Sequence, residues 1–213
     1  MREEAVMQVH RRTGSASRRA GDTLVEVLFA ITVLSLVVVT ALAIMNQGTS
    51  AAVRSMQITL VRQEVDSQAE ALRFLNSAYT AAYKPGFTPT GPAATYKAII
   101  DDITSAKETT LPKFGVTDSG ACPSIPNGAF FIGTNTATAA YVKKASIVTA
   151  TTFAQVVYSP SVQSQGIWIK GLRSTPANGS SYTDFHIRAC WDTPGSNLPA
   201  TIGTIVRLYE PAK

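Results

Sequence analysis

Apolar and polar positions divide this chain into a membrane-length run, an amphipathic helix and a region of short alternating segments. Val27 to Met45 contains no charged residue, and Thr32, Ser35 and Thr40 are its only polar interruptions. The uncharged stretch continues through Val53, ahead of Arg54. About 20 apolar residues in a helix span the roughly 30 Å of a bilayer's hydrocarbon. In lipid every backbone polar group needs an internal partner, which a helix supplies. Val and Ile favour strands in water, but strands rarely exceed about ten residues, so length overrides that preference. The run predicts a single membrane-crossing helix.

Ser55 to Tyr83 then contains neither Pro nor Gly. Met56, Leu60, Val61, Val65, Leu72, Leu75 and Tyr79 recur at three-to-four spacing, while Arg54, Arg62, Gln63, Glu70 and Arg73 fill much of the rest. The pattern predicts an amphipathic helix that buries one stripe against the chain's own sheet. Glu70 with Arg73, and Glu64 with Gln68, add weak support along the helix. Read together, Leu24 to Tyr83 form one spine, about 90 Å long at 1.5 Å per residue. Gly48, between the halves, is the candidate kink. Lys84-Pro85-Gly86 ends the helix, and the Pro-rich Phe87 to Pro92 segment reads as a connection.

Residues 93–213 are rich in Thr, Ser, Gly and Ala. One short helix or turn is expected over Ala94–Lys107, with Tyr96, Ile99, Ile100 and Ile103 on one side. Candidate strands are Ala129–Gly133, Tyr141–Val148, Phe153–Tyr158, Gly166–Leu172, Tyr182–Trp191 and Thr201–Tyr209, separated by turn residues. Phe185, Ile187, Ala189 and Trp191 alternate on one strand face and should meet the helix; His186, Arg188 and Cys190 should face away. The fold expected is α+β, a long N-terminal helix packed against an antiparallel β-sheet head.

Charge adds an orientation. Arg2, Arg11, Arg12, Arg18 and Arg19 precede the apolar run and hold the N-terminus in the cytoplasm by the positive-inside rule. Everything beyond about Met45 is then translocated. The chain carries a formal +5. Five of its arginines, set against Glu3 and Glu4, lie in residues 1–21, so the remainder is near +2. Lys143-Lys144 is a pair rather than a patch; nucleic acid is a possible partner that no clustered basic stripe indicates.

The unusual feature is Gly21-Asp22-Thr23-Leu24-Val25-Glu26, which sets a carboxylate at the mouth of the apolar helix. A carboxylate in lipid costs a few kcal/mol or becomes neutral. Three readings fit. In an ordinary secretory signal, Ala41-Leu42-Ala43 would be the cleavage site, but the apolar stretch exceeds the usual h-region of about 7–15 residues. In a plain membrane anchor, Thr23 and Glu26 form a capping box. In the third, the leader, Gly21 and the Asp22-Thr23-Leu24-Val25-Glu26 run resemble the processing site of type IV prepilins. That resemblance covers the chain to about Leu75.

The resemblance implies a cytoplasmic leader, residues 1–21, removed by a membrane-embedded prepilin peptidase that cuts between Gly21 and Asp22. It implies a transmembrane and filament-core helix over 22–53, an amphipathic continuation over 54–83 and a globular head over 84–213. Membrane lipid surrounds the helix before assembly. Partners are then other pilin subunits and an assembly platform driven by a cytoplasmic ATPase. Glu26 is implied to meet the new α-amino group of Asp22 in a neighbouring subunit, beside Thr23. Removing one partner of such a buried pair is strongly destabilising, so the pair acts as a register pin. The family usually has Phe or another apolar residue where this chain has Asp22. A carboxylate there can interact favourably with the helix N-terminal dipole. The function expected is a structural subunit of a pilus-like filament at the cell surface, for adhesion, motility or uptake. The alternatives are a minor pilin or pseudopilin of a secretion or DNA-uptake system, and a single-pass anchored binding protein that does not polymerise.

Cys122 and Cys190 both fall on the translocated side, where two cysteines usually pair; two buried thiols are the alternative. In pilins a disulfide often ties down the C-terminal part of the head, and the resemblance implies the same here. No hydrolase, zincin or phosphate-loop motif occurs, and the cysteines lack zinc spacing. No cofactor, metal or enzymatic activity is expected. Asp101, Asp102, Asp118, Asp184 and Asp192 offer oxygens without EF-hand spacing. His186 reads as a surface or strand histidine. Trp168 reads as core, with a partner contact as the alternative. Asn178-Gly179-Ser180 matches the glycosylation sequon.

Overall fold

The computed structural model describes residues 22–106, 120–134, 139–177 and 179–211. Two compact units divide at Gln47/Gly48. Helix α1 (Asp22–Ala82) contributes to both, and its helical assignment continues through Gly48. The first unit, as described, consists of the apolar half of α1. The second holds the rest of α1 and the head.

The predicted stop after α1 is a tight turn. Phe87 N donates to Lys84 O at 3.0 Å, with Pro85 second and Gly86 third at φ 78°. Proline presets the second position of such a turn and glycine accepts the positive φ of the third. Helix α2 (Gly91–Ala106) starts earlier than expected. Pro92 belongs to its first turn, where the missing N–H has no helical partner to lose. Tyr96 and Ile99 are buried, with Ile100 and Ile103 half-buried beside them.

Among the described residues eight strands follow: β1 (Phe130–Gly133), β2 (Ala140–Lys143), β3 (Ile147–Val148), β4 (Gln155–Val157), β5 (Gln163–Gln165), β6 (Ile167–Ser174), β7 (Tyr182–Trp191) and β8 (Ala200–Tyr209). Five form one antiparallel sheet in the order β2-β1-β6-β7-β8. The others form a second sheet in the order β3-β5-β4, with β3 parallel and β4 antiparallel to β5. The strand expected over Tyr141–Val148 is broken by a 3-10 turn at Lys144–Ser146, and its end leaves for the second sheet. The polar β5 carries no alternating apolar signal, so its pattern could not announce it. Gly166 bridges the sheets: its N–H donates to Val148 O, and its carbonyl accepts from Cys190 N. At φ 71°, with a Cβ position 2.4 Å from Cys190 O, only glycine fits there.

The main core lies between α1 and the five-stranded sheet. Val61, Val65, Ala69, Leu72 and Leu75 of α1 meet Ile169, Phe185, Ile187 and Trp191. Each large apolar side chain buried this way contributes about 1.5–3 kcal/mol. The alternation on β7 is as expected, and the opposite sheet face forms a second cluster with Phe131, Trp168 and Cys190 against Ile147 and Val156. The predicted stripe holds at Val61, Val65, Leu72 and Leu75, with Tyr79 packed against it, and departs at its N-terminal end and at position 68. Met56 is 65% exposed, while Gln57 and Gln68 take buried places.

Those glutamines have specific partners. Gln68 Nε2 donates to Ile132 O at 2.8 Å, and Gln68 Oε1 accepts from Ile132 N at 2.9 Å. β1 and β6 share one register pair, Phe130 with Ile169. Beyond it, among the described residues, Ile132 lacks a strand neighbour on that side, and the Gln68 amide takes the place of a peptide group. Gln57 Oε1 accepts from Trp191 Nε1 at 3.3 Å.

Candidate functional site

The feature that the head's core does not explain is the first half of α1. Fifteen large apolar side chains between Leu24 and Met45 are exposed, from 46% at Val33 to 70% at Phe29 and Leu36. Water-soluble surfaces rarely expose apolar patches beyond a few hundred Å². An apolar stripe would indicate one partner; exposure on every side indicates an apolar surround. This helix is long and apolar enough to cross a membrane.

Its polar side chains fit that surround. Thr32 Oγ1 donates to Phe29 O, Ser35 Oγ to Ile31 O and Thr40 Oγ1 to Leu36 O, each at 2.7 Å. The hydroxyls thus return their protons to the helix's own carbonyls and need no water.

Glu26 is different. It is exposed on the second turn of α1 and is the only charged residue between Asp22 and Arg54. Positions 22, 23 and 26 share one helix face by their three- and four-residue spacing. α1 is already helical at Asp22, which puts Thr23 inside the first described turn rather than ahead of it. Chemically, Glu26 sets a negative charge at the edge of an apolar surface. A cation brought to it in a dry setting would be held strongly, and a lone carboxylate there would be costly. Gly21 lies outside the described residues.

In the head, the structure joins Cys122 to Cys190, with Cα atoms 5.8 Å apart and a sequence separation of 68. The bond ties the loop before β1 to the outward face of β7. Trp168 is core at 2% exposure. His186 is a strand histidine, the second of the two alternatives read from the sequence, and it is buried. Burial, then the nearby Arg188 charge, lowers its pKa below the usual histidine value, against the opposing effect of Asp184. Asn178 of the sequon lies outside the described residues.

The charged side chains of the head are largely committed to one another. Lys143 Nζ pairs with Asp102 at 2.7 Å, and Tyr141 OH donates to the same carboxylate at 2.8 Å. Lys144 Nζ donates to Asn127 Oδ1, and buried Lys170 Nζ to Asn127 O. These lysines line a cleft of about 280 Å³ beside α2. Hydrogen bonds from Lys143 and Tyr141 hold the Asp102 carboxyl below its ordinary pKa. Asp101 is paired with Lys97. Asp184 is held in a fork by Arg207 Nε and a second guanidinium nitrogen, both at 2.7 Å, which lowers its pKa. Among the described residues, no three His, Cys, Asp or Glu side chains gather as a metal site would need.

Sequence reasoning missed Gln57 and Gln68. Their signal was present: with Val61, Val65, Leu72 and Leu75 they continue the three-to-four spacing of the buried stripe. In comparisons with known proteins, no family model matches this chain, no curated protein matches it, and no solved structure matches it.

Proposed function

We propose that this chain is a type IV pilin-like subunit. It is held in the cytoplasmic membrane by the first half of α1, trimmed after Gly21 and assembled through that helix into an extracellular filament. The observation that carries the reading is Glu26, the lone charge between Asp22 and Arg54, on the half of α1 whose apolar side chains are exposed all round. A simple anchor can use this carboxylate only in a local cap with Thr23, whereas a filament supplies it with the α-amino group of a neighbour's Asp22. The architecture supports the reading at a coarser level: a long N-terminal helix, an antiparallel sheet on its second half and a disulfide in the head are pilin-like.

In this reading the chain performs no catalysis. Prepilin peptidase, other pilins and an ATPase-driven platform act on it, and subunits joined by contacts that do not close make a fibre. Mass spectrometry of the mature protein tests it. A first residue at Asp22 is expected. An intact Met1 would favour an anchored binding protein, and a start at Ile44 would favour ordinary secretion. Glu26→Ala should leave membrane insertion intact and block incorporation into filaments; unchanged filament yield would refute the pairing.

A further inference from the structure

The sheet edges of the head differ in a way that points to a partner. At one end of the large sheet, β2 has four residues and ends in Lys143, which is tied to α2 through Asp102. The second sheet ends in β3 and β4, of two and three residues. These edges are short, as protected edges are. β8 is the exception. It runs for ten residues and pairs with β7 along its whole length without a bulge, from Tyr182↔Tyr209 to Trp191↔Ala200. It contains no proline and one charge, Arg207. Among the described residues, its backbone takes one hydrogen bond from beyond β7, the Tyr209 carbonyl accepting from Asn76 Nδ2. Its outer face is also uncovered, with Ile205 and Tyr209 each 55% exposed. A long, unbroken edge of this kind is a template for another strand.

We propose that β8 pairs antiparallel with β8 of a second copy of this chain, about a two-fold axis at Ile205. The register follows from charge and parity. Directly opposed residues of an antiparallel pair lie on the same sheet face. Centring on Ile205 sets Ile205 against itself, Gly203 against Arg207 and Thr201 against Tyr209 on the outer face. On the other face it sets Thr204 against Val206 and Ile202 against Leu208. The exposed isoleucines are buried on each other, and the apolar pairs match. Centring on Arg207 instead would set like charges opposite, which is destabilising. In the chosen register Arg207 meets Gly203, over which the Arg188 side chain lies, and it arrives already neutralised by its own Asp184. The same patch serves both copies, as a two-fold contact requires. Nine opposed residues on each strand, less the two Tyr209 carbonyls already held by Asn76, supply about eight backbone hydrogen bonds, within the roughly 10 ± 5 of a specific interface.

This inference does not rest on the filament reading, and its test separates the two. The full chain is purified in detergent in a Glu26→Ala background, which removes the charge invoked for filament assembly. Ile205→Cys is compared with Leu198→Cys, a control at a residue 61% exposed and outside the strand. Opposed Cα atoms about 4.5–5.5 Å apart fall within the disulfide range of about 4.4–6.8 Å, so covalent dimer should form roughly tenfold faster at 205 than at 198 under mild oxidation. Ile205→Lys, tolerated at an exposed position, should lower the mass measured by light scattering from dimer to monomer with an unchanged circular dichroism spectrum. Equal cross-linking rates at 205 and 198 would overturn the proposal and leave the edge to a foreign strand or to none. A mass unaffected by Ile205→Lys would overturn it as well.

Discussion

Replacing Gln68 with Leu tests the contact that substitutes a side chain for a missing strand. Gln68 is fully buried, and its amide satisfies both Ile132 N–H and Ile132 C=O. Leucine is of similar size and better suited to an apolar site, so the cavity term is small. The change leaves a buried backbone donor and a buried acceptor without partners, at about 1–3 kcal/mol each, or about 2–6 kcal/mol together. For a unit of this size each kcal/mol shifts the melting temperature by about 2–4 °C, so a drop of roughly 4–24 °C is expected. Thermal melting of the full chain in detergent, followed by near-ultraviolet circular dichroism, reads the magnitude. Hydrogen exchange reads the location: the Ile132 amide should lose protection more than the Ile187 amide in the middle of β7. A melting temperature within a degree or two of the parent, with Ile132 still protected, would refute the claim that Gln68 stands in for a peptide group.

Two further outcomes follow from the head. Reducing Cys122–Cys190, or replacing both with Ser, should destabilise by about 4 kcal/mol on the chain-entropy account of a loop this long; denaturant titration in detergent checks it, and an unchanged midpoint would count against a structural role. His186 makes stability depend on pH. Its pKa is lower folded than unfolded, so its contribution is complete above about pH 6.5 and is lost as the pH falls toward the folded value. His186→Phe should flatten the fall in melting temperature between about pH 7 and pH 5, and an unaltered slope would assign that fall to other groups. The Asp184 and Asp102 carboxylates, whose pKa values are lowered, add losses of the same sign below the ordinary carboxylate range.

Much of this protein was legible from spacing alone. A run of uncharged residues too long for a strand determined the apolar helix, and the absence of Pro and Gly through Tyr83 determined its continuation. Strict alternation fixed β7 to the residue, and β8 within one residue, because each strand has one face on a core. The two cysteines were legible through compartment. The candidate site was legible too, since a single carboxylate beside a membrane-length helix is conspicuous without coordinates.

Tertiary structure decided what spacing leaves open. The helix stripe could be phased through Met56 or through Gln57; it is Gln57 because Trp191 Nε1 needs an acceptor inside the core. Gln68 is inside because β1 parts from β6 after Phe130 and leaves Ile132 needing a partner. β3 belongs to a second sheet, and β5 exists at all, because of long-range pairing that three polar residues cannot signal locally. His186 is buried because β7 is a central strand, whatever the polarity of its side chain. Periodicity reports which face of an element is apolar; which polar groups join the interior depends on unpaired donors and acceptors supplied from distant parts of the chain.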